Sequence, residues 1–199
     1  MLLDSNLTPL PVTGPSAREN PALSGRPSAR DLLPTYEAYR RWQARELLTL
    51  VPREGIRAIY KGARAARGAP IAADPVELVA EHVMARIPLP PFHVWCHDFR
   101  THLDVHLDEP WMRDRLPSRD APLALAVREE QLMGALWTVQ LEVHHDGGGW
   151  RGRLLFARDG SRSWRTGDVF RESSARALAE SFRICDHPTL EAFLRSITP

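Results

Sequence analysis

The chain has 199 residues, of which 43% are hydrophobic and 26% are charged. This length fits one domain with appendages or two small domains, and it excludes a large multidomain enzyme. The 26 basic and 25 acidic residues give a formal net charge of +1, so the chain as a whole is not a polyelectrolyte. Because no apolar run approaches the roughly 18 residues that a membrane span requires, we expect no membrane partner.

The first thirty residues interleave proline, glycine and serine without any hydrophobic periodicity. Such a composition buries too little apolar surface to offset the entropy of ordering, which predicts a tail that is disordered or bound to a partner. The first residues also lack the basic stretch of a secretory signal, and Asp4 interrupts their apolar run. With Cys96 and Cys185 as the only cysteines, this pattern indicates reduced thiols and a cytoplasmic location.

Residues 31–110 show apolar residues at helical spacing, interrupted by proline and glycine. Proline is tolerated at the start of a helix, and glycine is favoured just past its end, so these residues mark the boundaries. Four helices are expected: one from a Thr35 cap to Pro52, one from Pro52 to the stop at Gly68 and Pro70, one from the Asp74 cap to the Pro88–Pro91 break, and one from about Phe92 to Asp108.

The pattern changes to alternation after residue 120. Leu136–His145 places Trp137, Val139, Leu141 and Val143 on one face of a strand, and two further strands are expected over Trp150–Arg158 and Arg162–Phe170. Two amphipathic helices close the chain. The sequence therefore predicts an α+β fold with a tail (1–30), a segment of about four helices (31–110), and an antiparallel β-meander whose two C-terminal helices pack on one face (120–199).

The register of the last hairpin follows from placing the apolar residues of its two strands on the same face. A three-residue loop at Asp159–Ser161 would pair Phe156 with Trp164, Leu154 with Thr166 and Trp150 with Phe170. In the preceding hairpin, Glu142 should lie opposite Arg153 as a cross-strand ion pair. A single core cluster between the sheet and the last two helices is expected from Trp137, Leu141, Leu154, Phe156, Trp164 and Phe182.

Residues 92–108 contain half of the eight histidines of the chain, which suggests a transition-metal site. On one continuous helix, however, Asp98, His102 and His106 would lie on one flank, and His93 and His97 on the other. Each histidine pair has the one-turn spacing of an H-E-x-x-H helix but lacks its glutamate, and further ligands would have to come from His82, His144 or His145. We therefore expect no tightly bound metal and no cofactor, and keep a metal-dependent enzyme as an alternative.

Nucleophilic catalysis has little support in the sequence. There is no G-x-S-x-G, P-loop or G-x-G-x-x-G motif, and the glycines at 147–149 lie between two strands. On a helix, Cys96 and His97 would project about 100° apart, which is unsuitable for proton transfer between them. We therefore expect that the protein is not an enzyme.

Positive charge is concentrated in residues 26–67, which contain ten basic and four acidic residues. Within this region Arg53, Arg57, Lys61 and Arg64 follow one another at near-helical spacing. A second polar surface is expected on the outer face of the sheet, where Arg151, Arg153 and Arg165 should lie.

These two surfaces lead to the functional hypothesis. We interpret the chain as a non-catalytic cytoplasmic accessory or adaptor protein that binds a larger protein partner through its arginine-rich surfaces and its tail. The first alternative is a nucleic-acid-binding module that uses the basic residues of 26–67 to contact phosphates.

Overall fold

The tail predicted over residues 1–30 falls mostly outside the part of the chain that can be described. A computed structural model describes residues 27–68, 74–158 and 162–198. The predicted Asp159–Ser161 loop also lies outside these residues. No helix in the described ranges is long and apolar enough to cross a membrane.

Helices precede and follow a four-stranded sheet, which confirms the α+β class, the antiparallel meander and the two C-terminal helices. Among the described residues, the segment before the sheet has five α-helices and a short 3₁₀ helix, instead of four helices. The helices are α1 (Leu33–Thr49), α2 (Arg53–Arg67), α3 (Pro75–Met84), α4 (Phe92–Thr101), α5 (Leu103–Leu107), the 3₁₀ helix (Pro110–Arg115), α6 (Ala175–Ile184) and α7 (His187–Ile197). The strands are β1 (Leu123–Leu132), β2 (Ala135–His145), β3 (Trp150–Ala157) and β4 (Ser163–Glu172).

Several helix boundaries have the predicted local causes. Gly68 ends α2 in the left-handed conformation, with φ of +56°, which a residue without a side chain adopts at little cost. Asp74 caps α3 by accepting a hydrogen bond from the Val76 amide at 2.9 Å. The predicted cap at Thr35 is wrong, because α1 begins two residues earlier and carries Pro34 in its first turn.

The predicted continuous helix over 92–108 is also wrong, because the backbone breaks at His102 and separates α4 from α5. His102 has φ of −119° and ψ of 41°, outside the helical region. The preceding Thr101 hydroxyl donates to the His97 carbonyl at 2.8 Å, and such bonds back to the helix backbone bend helices.

The four strands follow one another in the order β1-β2-β3-β4, and each pair is antiparallel. Strand β1 was not predicted, because its Arg-Glu-Glu-Gln run favours a helix over a strand. Met133 and Gly134 connect β1 to β2 with φ of 50° and 74°, the conformation of a two-residue hairpin turn. The Glu191 carboxylate of α7 accepts a hydrogen bond from the Met133 amide at 2.8 Å and so holds this turn.

The predicted register of the β3–β4 hairpin is correct near the loop and wrong at its far end. Phe156 pairs with Trp164, and the Leu154 amide donates to the Thr166 hydroxyl at 2.9 Å. The register then shifts between Leu155 and Arg153 and again between Arg153 and Gly152, as at β-bulges. Trp150 therefore pairs with Glu172 instead of Phe170.

The predicted core cluster is confirmed. Five of its members are buried in the core, and Trp164 packs against them while partly exposed. The same cluster continues into the N-terminal helices through Trp95, Phe99 and Trp111, so the helical segment and the sheet share one core. The Asp108 carboxylate at the end of α5 reinforces this connection, since it accepts hydrogen bonds from the Ala175 and Arg176 amides at the start of α6.

We expect Phe156→Ala to lower the free energy of unfolding by about 3–5 kcal/mol, because Phe156 is fully buried and its loss leaves a cavity. Urea denaturation measures the change. The matched control is Leu136→Ala on the neighbouring strand, where the side chain is 54% exposed and the expected loss is below about 1 kcal/mol. Equal losses in the two variants would contradict the assignment of Phe156 to the core face.

Candidate docking surface

Helix α2 lies at the outside of the helical segment and packs chiefly on α3. Of its described side chains only that of Ala63 is buried, while the others are exposed or half-buried. The apolar residues Ile56, Ile59 and Tyr60 lie half-buried beside Ala63. Most of this helix is therefore available at the surface.

The exposed side of α2 carries the four predicted cations as one stripe. Arg53, Arg57, Lys61 and Arg64 are separated by four, four and three residues. At about 100° and 1.5 Å per residue, they fall within an arc of about 80° and extend over about 16 Å of the helix axis. We call these four residues the α2 stripe.

No residue of the α2 stripe forms an ion pair with any other residue in the described ranges. Arg64 lies over the Tyr60 ring, with its guanidinium carbon 5.9 Å from the ring centroid. By contrast, Arg41 and Arg45 of α1 both pair with Glu77, at 3.6 and 3.2 Å. Glu54 adjoins the stripe on α2 but forms no ion pair with it, and these five residues together carry a net charge of +3. The stripe therefore presents an excess of positive charge.

The sheet arginines are arranged differently, because each is engaged within the fold. Arg151 Nε lies 2.6 Å from the Asp146 carboxylate, and this bond, with another from the Gly148 amide, lowers the pKa of Asp146. Arg153 Nε and Arg165 Nε both lie 2.8 Å from Glu142 Oε2. The predicted cross-strand pair of Glu142 and Arg153 is thus confirmed, and Arg165 joins it from β4.

The outer face of the sheet is also less open than its alternation predicts. Gln140, Glu142 and His144 lie on this face, yet only 1%, 6% and 2% of their surfaces are exposed. A carboxylate this enclosed needs its two guanidinium partners, since an unpaired buried charge is costly. These arginines therefore stabilise the sheet, which reduces what they can offer to a partner.

We expect Glu142→Ala to lower the free energy of unfolding by about 1–3 kcal/mol, because it leaves two guanidinium groups without their carboxylate. Thermal or urea unfolding measures the loss. Glu129→Ala removes an exposed carboxylate from the same face and should change stability by less than about 0.5 kcal/mol. An equal effect of the two substitutions would show that the Glu142 ion pairs contribute nothing.

The histidine stretch forms a hydrogen-bonded cluster around Asp98. The break between α4 and α5 places His102 Nδ1 at 3.0 Å from Asp98 Oδ1 and His106 Nε2 at 2.9 Å from Oδ2. Because a carboxylate only accepts, both ring nitrogens carry the proton in these bonds. These two hydrogen bonds orient both imidazoles around Asp98.

The other candidate ligands do not join this cluster. His93 and His97 are exposed, and His144 Nε2 lies 3.8 Å from Asp168 on the outer face of the sheet. In the described ranges, no group of three or more histidine, cysteine, aspartate or glutamate side chains has an arrangement that would hold a metal ion. The metal-dependent reading of Asp98, His102 and His106 therefore gains no additional ligand from the fold.

Both cysteines are unpaired thiols that belong to the apolar core or pack against it. Burial raises the pKa of Cys96, although the nearby Arg100 partly opposes this effect. Burial likewise raises the pKa of Cys185. A raised pKa keeps a thiol protonated near neutral pH. Because the thiolate is the nucleophilic form of cysteine, this reduces the reactivity of both residues.

The Asp98 cluster has a pH dependence with a defined sign. The His106 hydrogen bond is the largest cause that lowers the pKa of Asp98 below its ordinary 3.8, with His102 contributing further. A carboxylate whose pKa is lowered by folding stabilises the fold above that ordinary value, and this stabilisation is lost as the pH falls through the folded pKa.

We therefore expect Asp98→Asn to be less stable than the unmodified protein at about pH 5, with the difference shrinking as the pH falls below 3.8. Urea denaturation at a series of pH values measures it. Asp120→Asn removes an exposed carboxyl group as the control. A difference that grew steadily below pH 3.8 would contradict the hydrogen-bonded carboxylate.

Comparison of the sequence with protein-family models and curated proteins, and with solved structures, found no match.

Proposed function

We propose that the protein is a non-catalytic accessory or adaptor protein of the cytoplasm, and that it binds a larger protein partner through the α2 stripe. The observation that carries this proposal is the excess positive charge of Arg53, Arg57, Lys61 and Arg64 on an exposed helix. Charges that a fold does not pair internally steer and orient a partner of opposite charge.

The contrast with the other cations supports this choice of surface. Arg151, Arg153 and Arg165 were also candidates in the sequence, but their carboxylate partners lie within the fold. Recruiting them to a partner would require breaking ion pairs, two of which involve the buried Glu142. The α2 stripe can engage a partner without such a loss.

The proposal is tested by reversing three charges of the stripe in Arg57→Glu/Lys61→Glu/Arg64→Glu. The matched control, Arg113→Glu/Arg115→Glu/Arg119→Glu, makes the same change in net charge at exposed positions elsewhere. Because all six residues lie at the surface, we expect melting temperatures within about 2 °C of the unmodified protein in the stripe variant and its control.

Cross-linking in the native cells, followed by mass spectrometry of the captured proteins, provides the measurement. We expect one protein to be captured by the unmodified chain and by the control, and capture to fall at least about tenfold in the stripe variant. Equal capture by all three chains would reject the stripe as the contact. Nuclease-sensitive nucleic acid in place of a protein, with binding that falls steeply with salt, would favour the nucleic-acid alternative.

A further inference from the structure

An apolar groove runs beside the α2 stripe, where α2, α3 and the end of α1 meet. Its volume is about 330 Å³, and the side chains of Leu48, Ile56, Tyr60, Val76 and Val79 line it together with Arg57. Val76 is 60% exposed although it is fully apolar, whereas Val79 below it is only 4% exposed. The groove thus has a closed floor and an open apolar rim.

The stripe and the groove adjoin on the helix surface. At about 100° per residue, Ile56 and Tyr60 lie about 40° apart around the helix, and the stripe begins about 20° beyond Tyr60. Arg57 belongs to both surfaces, since it lines the groove and carries an unpaired charge. A bound segment in the groove would therefore lie along a row of cations.

The opposite rim does not cancel this charge. Glu77 follows Val76 on α3, and its two carboxylate oxygens already lie 3.6 and 3.2 Å from Arg41 and Arg45. The two α1 arginines therefore pair with the negative charge of Glu77. At the same rim the exposed Asp74 caps α3, and its carboxylate accepts a hydrogen bond from the Val76 amide. The cations of the stripe outnumber this carboxylate, so the groove keeps an excess of positive charge and is complementary to an acidic ligand.

We infer that this groove binds an acidic amphipathic segment of the protein partner, with apolar side chains in the groove and carboxylates against Arg57, Lys61 and Arg64. This inference rests on the proposed function and specifies its partner. Helices with apolar residues at i, i+3 and i+4 dock in grooves of this kind. A phosphate backbone would satisfy the stripe but would leave the apolar floor unfilled, which favours a peptide over a nucleic acid.

Selection from a displayed library of random peptides of about 16 residues, roughly four helical turns, on the full chain tests the ligand chemistry. We expect enrichment of Asp and Glu combined with Leu, Ile or Phe at helical spacing. Fluorescence polarisation then measures the affinity of one selected peptide. Replacing its acids by amides, or its large apolar residues by alanine, should each weaken binding at least about tenfold.

Two protein variants separate the groove from the stripe. Ile56→Ser/Val76→Ser removes apolar contacts without changing charge, and Arg57→Glu/Lys61→Glu/Arg64→Glu reverses the charge. Each substitution set should weaken binding of the selected peptide at least about tenfold. High salt should weaken binding to the unmodified chain and to the serine variant, because it screens the attraction, but not to the charge-reversed variant, where it screens repulsion. Circular dichroism and the melting temperature confirm that both variants remain folded.

Other outcomes would overturn the inference, and they can be told apart from a failure of the proposed function. If the serine variant captures the cellular partner normally while the charge-reversed variant does not, the partner contacts the stripe alone and the groove inference fails. Selected peptides without acidic residues would also reject it. So would a dimer of the full chain that the serine variant dissociates, or displacement of the peptide by duplex DNA.

Discussion

The apolar face of β2 is the constraint on which the fold depends. Val139, Leu141 and Val143 are fully buried, and each lies directly opposite a residue of β3. The inner face of β3 must therefore be covered as well. An antiparallel sheet satisfies this requirement by packing helices on one face, here α6 and α7. The position of both C-terminal helices follows from that burial.

The helical segment is fixed to the same core by aromatic packing and by one carboxylate. Trp95 and Trp111 have ring centroids 6.2 Å apart and join Phe99 in the shared cluster. Asp108 satisfies amides at the start of α6 that a helix cannot satisfy by itself, so the end of α5 is held against the C-terminal part of the chain. Helix α2 is connected to this shared core through α3, which packs on α1.

Sequence patterns that depend on nearby residues gave correct predictions of local structure. The alternation of β2, the Phe156–Trp164 pairing and the α2 boundaries depend on neighbours within a hairpin or a turn, and all were correct. The features that were missed depend on distant contacts. Strand β1 has a helix-favouring sequence, which its pairing with β2 overrides. The bulges of β4 are visible only in the pairing of β4 with β3.

The candidate site shows the same division. The spacing of the α2 stripe was visible in the sequence, and so was the pairing of Glu142 with Arg153. The sequence did not show which arginines the fold leaves unpaired, because Arg165 reaches Glu142 from a third strand. The groove was missed for the same reason, since Leu48, Ile56 and Val76 come from three helices whose packing no local pattern encodes.

The shallow seating of α2 has a consequence for its dynamics. A helix with one buried alanine and otherwise exposed or half-buried residues loses little apolar contact when it separates from α3. We expect such an element to open locally at a free energy well below that of global unfolding, so that its amides exchange with solvent while the sheet remains intact. A partner that docks on α2 as proposed would suppress that opening, and part of its binding free energy would offset the cost of ordering the surface that it recognises.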